Sequence, residues 1–243
     1  MKIVILSDIH ANYAALNALP EENYDQIWCL GDLVDYGPQP REVIEWMRKH
    51  AHKVIRGNHD HAVGFNVDPK CSVPFQRLAS ETRRYTQNLC TAKEISYLRN
   101  LPIRWEGTFA GSSFYLVHAV PTDPLFGYCK PESERWITEV KWTDADFLLV
   151  GHTHLPFVRK IGKTTIVNPG SLGQPKTGRS LACYAVWQDG EVLLKEYDYP
   201  LAETEKEIEE MPLAPEDRKA LVTVLETGHL PQNKETLPPA GKG

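Results

Sequence analysis

The chain has 243 residues, 42% of them hydrophobic and 24% charged, the composition of a folded globular protein. Its net charge of −5 excludes a protein that works mainly by gripping nucleic acid through a broad basic surface. A nucleotide substrate stays open, because bound cations would add positive charge that a residue count omits.

The first predicted element is a buried β-strand over 2–6, a short β-branched run. Its faint likeness to a signal peptide fails because Ser7 and Asp8 interrupt the apolar stretch. A helix is predicted over 11–19, ended by Pro20, and a strand over 26–30, stopped by Gly31. A helix over 40–49 carries Val43, Ile44 and Met47 on one face, and a third short strand spans 53–55. This strand, loop, helix order indicates an α/β core with parallel strands. Residues 75–101 read as two helices meeting near Cys90 and Thr91. Strands follow over 103–106 and 114–117, then a Pro- and aromatic-rich loop over 121–131, a helix over 132–140 and a strand over 147–150. Strands at 157–160, 164–167, 181–187 and 192–197 come next, with Gln188-Asp189-Gly190 as a hairpin signal between the last two. Residues 201–227 hold two helical stretches separated by Pro212 and Pro215. No internal repeat or linker-like break occurs, so 1–228 is expected to be one domain. The tail 229–243 has few apolar residues and is expected to be disordered.

No segment approaches the ~18 consecutive apolar residues of a membrane span. Five scattered cysteines (Cys29, Cys71, Cys90, Cys129, Cys183) form no C-x-x-C pair, which argues for reduced thiols over a disulfide framework or a cysteine zinc site. A cytoplasmic location follows by elimination.

Five segments stand out, each directly after an apolar run: Asp8-Ile9-His10, GDLVD at 31–35, GNHD at 57–60, Val117-His118 and GHTH at 151–154. In an open α/β sheet, residues at the carboxyl ends of different strands converge on a ligand. Here the converging groups are carboxylates, imidazoles and one amide. Such mixed oxygen and nitrogen donors suit Mn²⁺, Fe, Co²⁺, Ni²⁺ or Zn²⁺. The donors outnumber what one ion needs, so two ions are the economical reading. Glycines 31, 57 and 151 permit sharp turns and close backbone approach. Singly each segment is a common turn or a structural histidine; jointly, in this order, they point to chemistry.

This set of motifs resembles the calcineurin-like metallophosphoesterase superfamily, whose signature runs D-x-H, G-D-x-x-D, G-N-H-[DE], H and G-H-x-H. The segment Asn168-Pro169-Gly170-Ser171 resembles the small bacterial and archaeal branch. The resemblance implies a four-layer α-β-β-α sandwich, two mixed β-sheets flanked by helices. It implies one metal on Asp8, His10 and His154, another on Asn58, His118 and His152, and Asp32 bridging them, with manganese the first choice of ion. It further implies that His59 contacts phosphate and protonates the leaving group, with Asp60 orienting its ring. Two such ions roughly 3.5–4 Å apart clamp an in-line displacement and activate a shared water near neutral pH.

Departures narrow the expectation. Superfamily protein phosphatases carry Arg after the second aspartate of G-D-x-V-D and after G-N-H-E; here Tyr36 and His61 stand there. A phosphoprotein phosphatase is therefore disfavoured, with Arg41, Arg56, Arg83 and Arg84 as possible replacements that read as ordinary surface charges. Phe126 and Tyr128 are weighed as base-stacking groups against lid or core packing. Trp136 and Trp142 are read as packing residues, and His61 as solvent-exposed. The expected activity is metal-dependent hydrolysis of a phosphodiester or nucleotide, diadenosine polyphosphates included. Small-phosphomonoester hydrolysis is the alternative. A non-catalytic scaffold, as in the retromer complex, is a further one, disfavoured because every ligand and His59 are kept. The expected partner is a small phosphorylated or nucleotide substrate, with no membrane and no extended nucleic-acid surface.

Overall fold

Ile3 and Ile5 leave the first strand on one side, Val4 and Leu6 on the other, and all four are completely buried. A strand covered on both faces must be apolar throughout, which is why this run lacks polar alternation. The computed structural model describes residues 1–231. In chain order its main elements are β1 (Lys2–Leu6), α1 (Tyr13–Asn17), β2 (Gln26–Cys29), α2 (Pro40–His50), β3 (Lys53–Val54), α3 (Asn58–Phe65), α4 (Gln76–Leu89), α5 (Ala92–Asn100) and β4 (Arg104–Phe109). They continue with β5 (Ser112–Val117), α6 (Trp136–Glu139), β6 (Phe147–Leu149), β7 (Phe157–Ile161), β8 (Thr164–Asn168), β9 (Ala182–Gln188), β10 (Glu191–Tyr197), α7 (Leu201–Glu210) and α8 (Pro215–Thr227).

The strands form two five-stranded sheets, ordered β10-β9-β1-β2-β3 and β4-β5-β6-β8-β7. Both are mixed: β1-β2-β3 and β5-β6-β8 run parallel, and the outer partners β9, β10, β4 and β7 pair antiparallel. The sheets pack face to face through Ile3, Ile5, Trp28 and Leu30 of one and Phe114, Leu116, Phe147 and Leu149 of the other. On the far side of the first sheet, Val4, Leu6 and Ile27 meet Leu16 of α1, Val43 and Met47 of α2 and Leu98 of α5. On the far side of the second, Tyr115, Leu148 and Ile166 pack with Trp136 of α6. The expected two mixed sheets flanked by helices are present. No helix of the described residues is long and apolar enough to cross a membrane.

Elements in the second half of the chain differ from the sequence expectation. The helix expected over 132–140 shrinks to α6 and a 3-10 turn at Val140–Trp142. Side chains hold the preceding segment in a non-helical course: the Trp136 indole donates to Lys130 O at 2.9 Å, and Arg159 donates to the Pro131 and Ser133 carbonyls at 3.1 and 2.8 Å. Pro215 begins α8 instead of separating two helices, since the first helical position needs no N–H partner. Trp142 is 65% exposed, so its packing role is withdrawn. Of the tail expected to be disordered, 232–243 lies outside the described residues.

Glu21 ties the first sheet's β1, β9 and β10 together. It accepts from Lys195 Nζ at 2.7 Å and Tyr184 OH at 2.8 Å, and it pairs with Lys2. Burial pushes its carboxyl up, but these three partners outweigh burial and pull it down from 4.5 to about 2. A carboxyl lowered on folding stabilises above its unfolded value and loses that contribution as pH falls through its folded value. The melting temperature is thus expected to fall more steeply for the wild type than for Glu21→Gln between about pH 5 and pH 2. Parallel slopes would show that these contacts contribute nothing.

Candidate metal centre

All five motifs lie just beyond the carboxyl ends of strands, at one rim of the two sheets. Asp8 and His10 follow β1, Asp32 follows β2, Asn58 follows β3, His118 follows β5, and His152 and His154 follow β6. The turns are abrupt. Asp8, His10, Asp32, His152 and His154 all have positive φ, between 47° and 66°, which costs a non-glycine residue about 1 kcal/mol or more. Such strain persists only where surrounding structure fixes it, and here it aims the side chains inward. Gly31 has φ +98°, and a Cβ on it would lie 2.4 Å from Gly57 N. A Cβ on Gly151 would lie 2.0 Å from Ser7 Oγ, which donates to Asp8 Oδ2 at 2.6 Å.

The side chains form two clusters. Asp8, His10 and His154 make the first; Asp32, His118 and His152 make the second. In the first, His10 Nδ1 donates to Val34 O at 3.0 Å and His154 Nδ1 to Gln174 O at 2.7 Å. A carbonyl only accepts, so each ring presents its Nε2 lone pair to the centre. These two Nε2 atoms are 3.2 Å apart, and Asp8 Oδ1 is 3.3 Å from His154 Nε2. Asp8 Oδ2 is occupied by Ser7 and by the His152 N–H at 3.1 Å, while the buried Oδ1 has no hydrogen-bond partner. In the second, His118 Nδ1 donates to Leu30 O at 2.7 Å, and Asn58 Nδ2 to Pro69 O at 2.9 Å, leaving Asn58 Oδ1 facing inward. That oxygen is 3.0 Å from both His118 Nε2 and His152 Nδ1. Asp32 Oδ2 lies 3.2 Å from His118 Nε2 and 3.8 Å from His10 Nε2, between the clusters. Converging lone pairs repel one another, and a cation in each cluster, a proton or a metal ion, removes that repulsion. The donor set therefore fits two divalent ions.

The protonation states agree with ligation, which needs neutral imidazoles and ionised carboxylates. Burial, aided by the cationic neighbour His118, pushes His152 down to about 3. Burial, with Lys176 next, lowers His154, and burial with His154 lowers His10 well below its ordinary value. Asp8 and Asp32 lie well below the carboxylate range despite burial, because the imidazoles surround them. His118 is the exception: burial opposes its proton, yet Asp32 and Asp8 hold it at about 9. That proton would balance the second cluster's carboxylate, at the place where the ligand set fits a metal ion.

The family model of the calcineurin-like phosphoesterase superfamily domain matches residues 1–189. The chain belongs to the calcineurin-like phosphoesterase superfamily. A metallophosphoesterase from Sphaerobacter thermophilus has a crystal structure similar to this one, with a TM-score of 0.78 and 31% identity over 93% of this chain and 98% of that one. An uncharacterised protein of Methanocaldococcus jannaschii is 30% identical over 220 residues, 81% of this chain and 88% of its own length. Phosphodiesterase YfcE of Escherichia coli is 28% identical over 193 residues, 73% of this chain and 83% of its own length.

Within this phosphoesterase fold, one expected contact is corrected. His59 Nδ1 lies 2.9 Å from Asp35 Oδ2, not against Asp60. The Asp60 carboxylate faces the other way and accepts the backbone N–H groups of Asp32 (2.8 Å), Leu33 (2.8 Å) and Gly57 (3.0 Å). As third residue of α3, its carboxylate takes the N–H of the preceding cap instead of a neighbouring side chain. Asp60 thus shapes the Asp32 turn, and Asp35 orients His59. Burial opposes a proton on His59 most, but Asp32 and Asp35 together raise its affinity for one. The Asn168-Pro169-Gly170-Ser171 segment also acts through backbone: Asn168 Nδ2 donates to Gly151 O at 2.7 Å, and Ser171 Oγ to Asp8 O at 2.7 Å.

None of the arginines weighed as phosphate ligands lines the cleft. Arg41 pairs with Glu94 at 3.1 Å, Arg84 pairs with Glu81, and Arg56 and Arg83 donate to the Arg99 and Val67 carbonyls. The cleft, about 420 Å³, exposes Asp32, Asn58, His59, His152 and His154 on its floor. Tyr36, where the superfamily's protein phosphatases carry arginine, packs 4.9 Å from both the His10 and His59 rings and 6.1 Å from Phe75. On the other side Tyr128 stands 5.9 Å from His152, with Phe126 also in the lining. His61 is half-buried, its ring 4.7 Å from Phe65, so it is not the free surface group expected. Lys70 and Lys176 complete the lining. Both lie in loops without a motif, so no pattern in the sequence announces either.

Proposed function

We propose that the protein hydrolyses phosphodiesters or nucleotides with two divalent metal ions bound at Asp8, His10, His154 and at Asn58, His118, His152, with Asp32 shared. The observation that carries this reading is the pair of inward-facing ligand-atom clusters, Asp8, His10, His154 and Asp32, His118, His152, with the Asp32 carboxylate between them. When bound, the ions supply Lewis acidity to the phosphoryl oxygens and to the attacking water. The chain's own groups do the rest. His59, held by Asp35, carries a proton at the cleft floor and delivers it to the leaving oxygen. Aromatic side chains flank the floor on both sides, Tyr36 and Phe75 on one and Phe126 and Tyr128 on the other, which suits a phosphorus bearing two organic groups. The relationship to a protein named a phosphodiesterase supports the same order of preference. Manganese is the first choice of ion for a mixed carboxylate, imidazole and amide set, ahead of Fe, Zn, Ni or Co. A cytoplasmic setting accords with five free cysteines, four of them buried.

Metal-stripped protein is expected to regain turnover of an aryl phosphodiester when Mn²⁺ is returned, with less turnover of the matching monoester. Monoester preference would redirect the reading to a small-molecule phosphatase. No turnover with any of Mn²⁺, Co²⁺, Ni²⁺, Zn²⁺ or Mg²⁺, in protein shown to hold two ions, would favour the scaffold.

A further inference from the structure

The cleft holds two cations that the motifs do not account for. Lys176 lies on the wall of the first cluster, its Nζ 5.2 Å from the centre of the Phe75 ring. Lys70 lies on the wall of the second, its Nζ 4.5 Å from the centre of the Phe126 ring. Both distances are within the range of cation–π attraction, which restrains an otherwise mobile ammonium. Among the described residues neither ammonium has a hydrogen bond or an ion pair, although most other basic groups near the cleft are engaged elsewhere. Lys176 is only partly exposed, lines the same cleft as Asp32, and is near enough to the Asp8 and Asp32 carboxylates for their charge to favour its proton. Holding an unpaired ammonium beside two carboxylates destined for metal ions is unfavourable unless an anion arrives with the ions. Burial accordingly lowers the proton affinity of Lys176. Lys70 is exposed, farther out, next to the aromatic lining of the opposite wall.

We propose that Lys176 and Lys70 form a two-point phosphate clamp where the superfamily's protein phosphatases use arginines, Lys176 binding the phosphoryl group over the clusters and Lys70 an adjoining phosphate. The ligand class is an oligophosphate with at least two linked phosphates, carried on an organic group that the aromatic walls accept. The inference rests on the phosphoesterase reading for its substrate, but the clamp can be measured without turnover.

The test is calorimetric titration of metal-loaded, full-length protein with orthophosphate and with methylenediphosphonate, free divalent ion being held constant. Methionine keeps the length of lysine and its packing on the rings while removing the charge. Lys176→Met is expected to weaken both probes by roughly 10- to 100-fold, the scale of one charge-assisted hydrogen bond. Lys176→Arg should recover most of that loss. Lys70→Met should erase the preference for methylenediphosphonate over orthophosphate, roughly 10-fold in the wild type. Metal analysis must show two ions in each variant, since the lysines are not ligands. Wild-type affinities in Lys176→Met, or an intact diphosphonate preference in Lys70→Met, overturn the clamp. A protein that binds both probes as expected yet cleaves no ester keeps the clamp and loses the proposed function. One that cleaves esters with both lysines dispensable does the reverse.

Discussion

Asp32→Asn is expected to lower phosphodiester turnover by ~10³-fold or more, the scale on which several kcal/mol of two-metal stabilisation is lost. The substitution is chosen for its shape. Asparagine keeps an oxygen for the His59 N–H, which now donates to Asp32 Oδ1 at 2.8 Å. It removes the negative charge that lies 3.2 Å from His118 Nε2 and 3.8 Å from His10 Nε2. Two cations a few ångströms apart repel, and a neutral amide cannot offset that repulsion as a carboxylate does. Bound metal should therefore fall below two ions per chain. The metal-free fold should survive, because the turn that carries residue 32 keeps its own N–H to Asp60 and an oxygen for the His59 N–H. Elemental analysis and circular dichroism separate these effects. A folded Asp32→Asn protein with two ions and near-normal turnover would refute the shared-ligand arrangement.

The ligands were legible in the sequence because each is tied to a local pattern: an apolar strand, then a glycine or a sharp turn, then the donor. β1 with Asp8 and β6 with His152 show it most directly, since a strand buried on both faces needs an unbroken apolar run. What stayed illegible depends on side-chain direction. Asp60 is adjacent to His59 in sequence and Asp35 lies 24 residues before it in another motif, so spacing alone favours Asp60. The choice is made by φ +66° at Asp35, which turns its carboxylate under the ring, and by the start of α3, which turns Asp60 toward free backbone N–H groups. Lys70 and Lys176 are brought to the cleft by loops whose course is set by tertiary packing, so no periodicity announces them. The β4–β5 hairpin, 104–109 with 112–117, runs longer than the strands expected over 103–106 and 114–117 for a related reason. Gly107 resembles a strand break, yet it sits paired with Phe114 beneath the Trp105 ring.

The exchange of Asp60 for Asp35 leads to the second large effect. His59→Ala is expected to reduce turnover by ~10²–10⁴-fold, the usual contribution of a positioned general acid, while both ions stay bound. Asp35→Asn should reduce it by about 10- to 100-fold, as loss of an outer partner does. Asp35 acts through His59, so it should also move the pH profile. A general acid works while protonated, and activity falls as pH rises through its pKa. Asp35 is one of two carboxylates that hold the proton on His59 against burial. Neutralising it lowers that pKa, and the alkaline limb of the profile shifts to lower pH. Asp60→Asn should behave otherwise. It weakens three buried hydrogen bonds to backbone N–H groups, at a cost of about 1–3 kcal/mol, and should appear first as a lower melting temperature of the metal-free protein. If Asp60→Asn moved the alkaline limb and Asp35→Asn left it in place, the adjacent-residue assignment would be right and the 2.9 Å contact between His59 and Asp35 would be incidental.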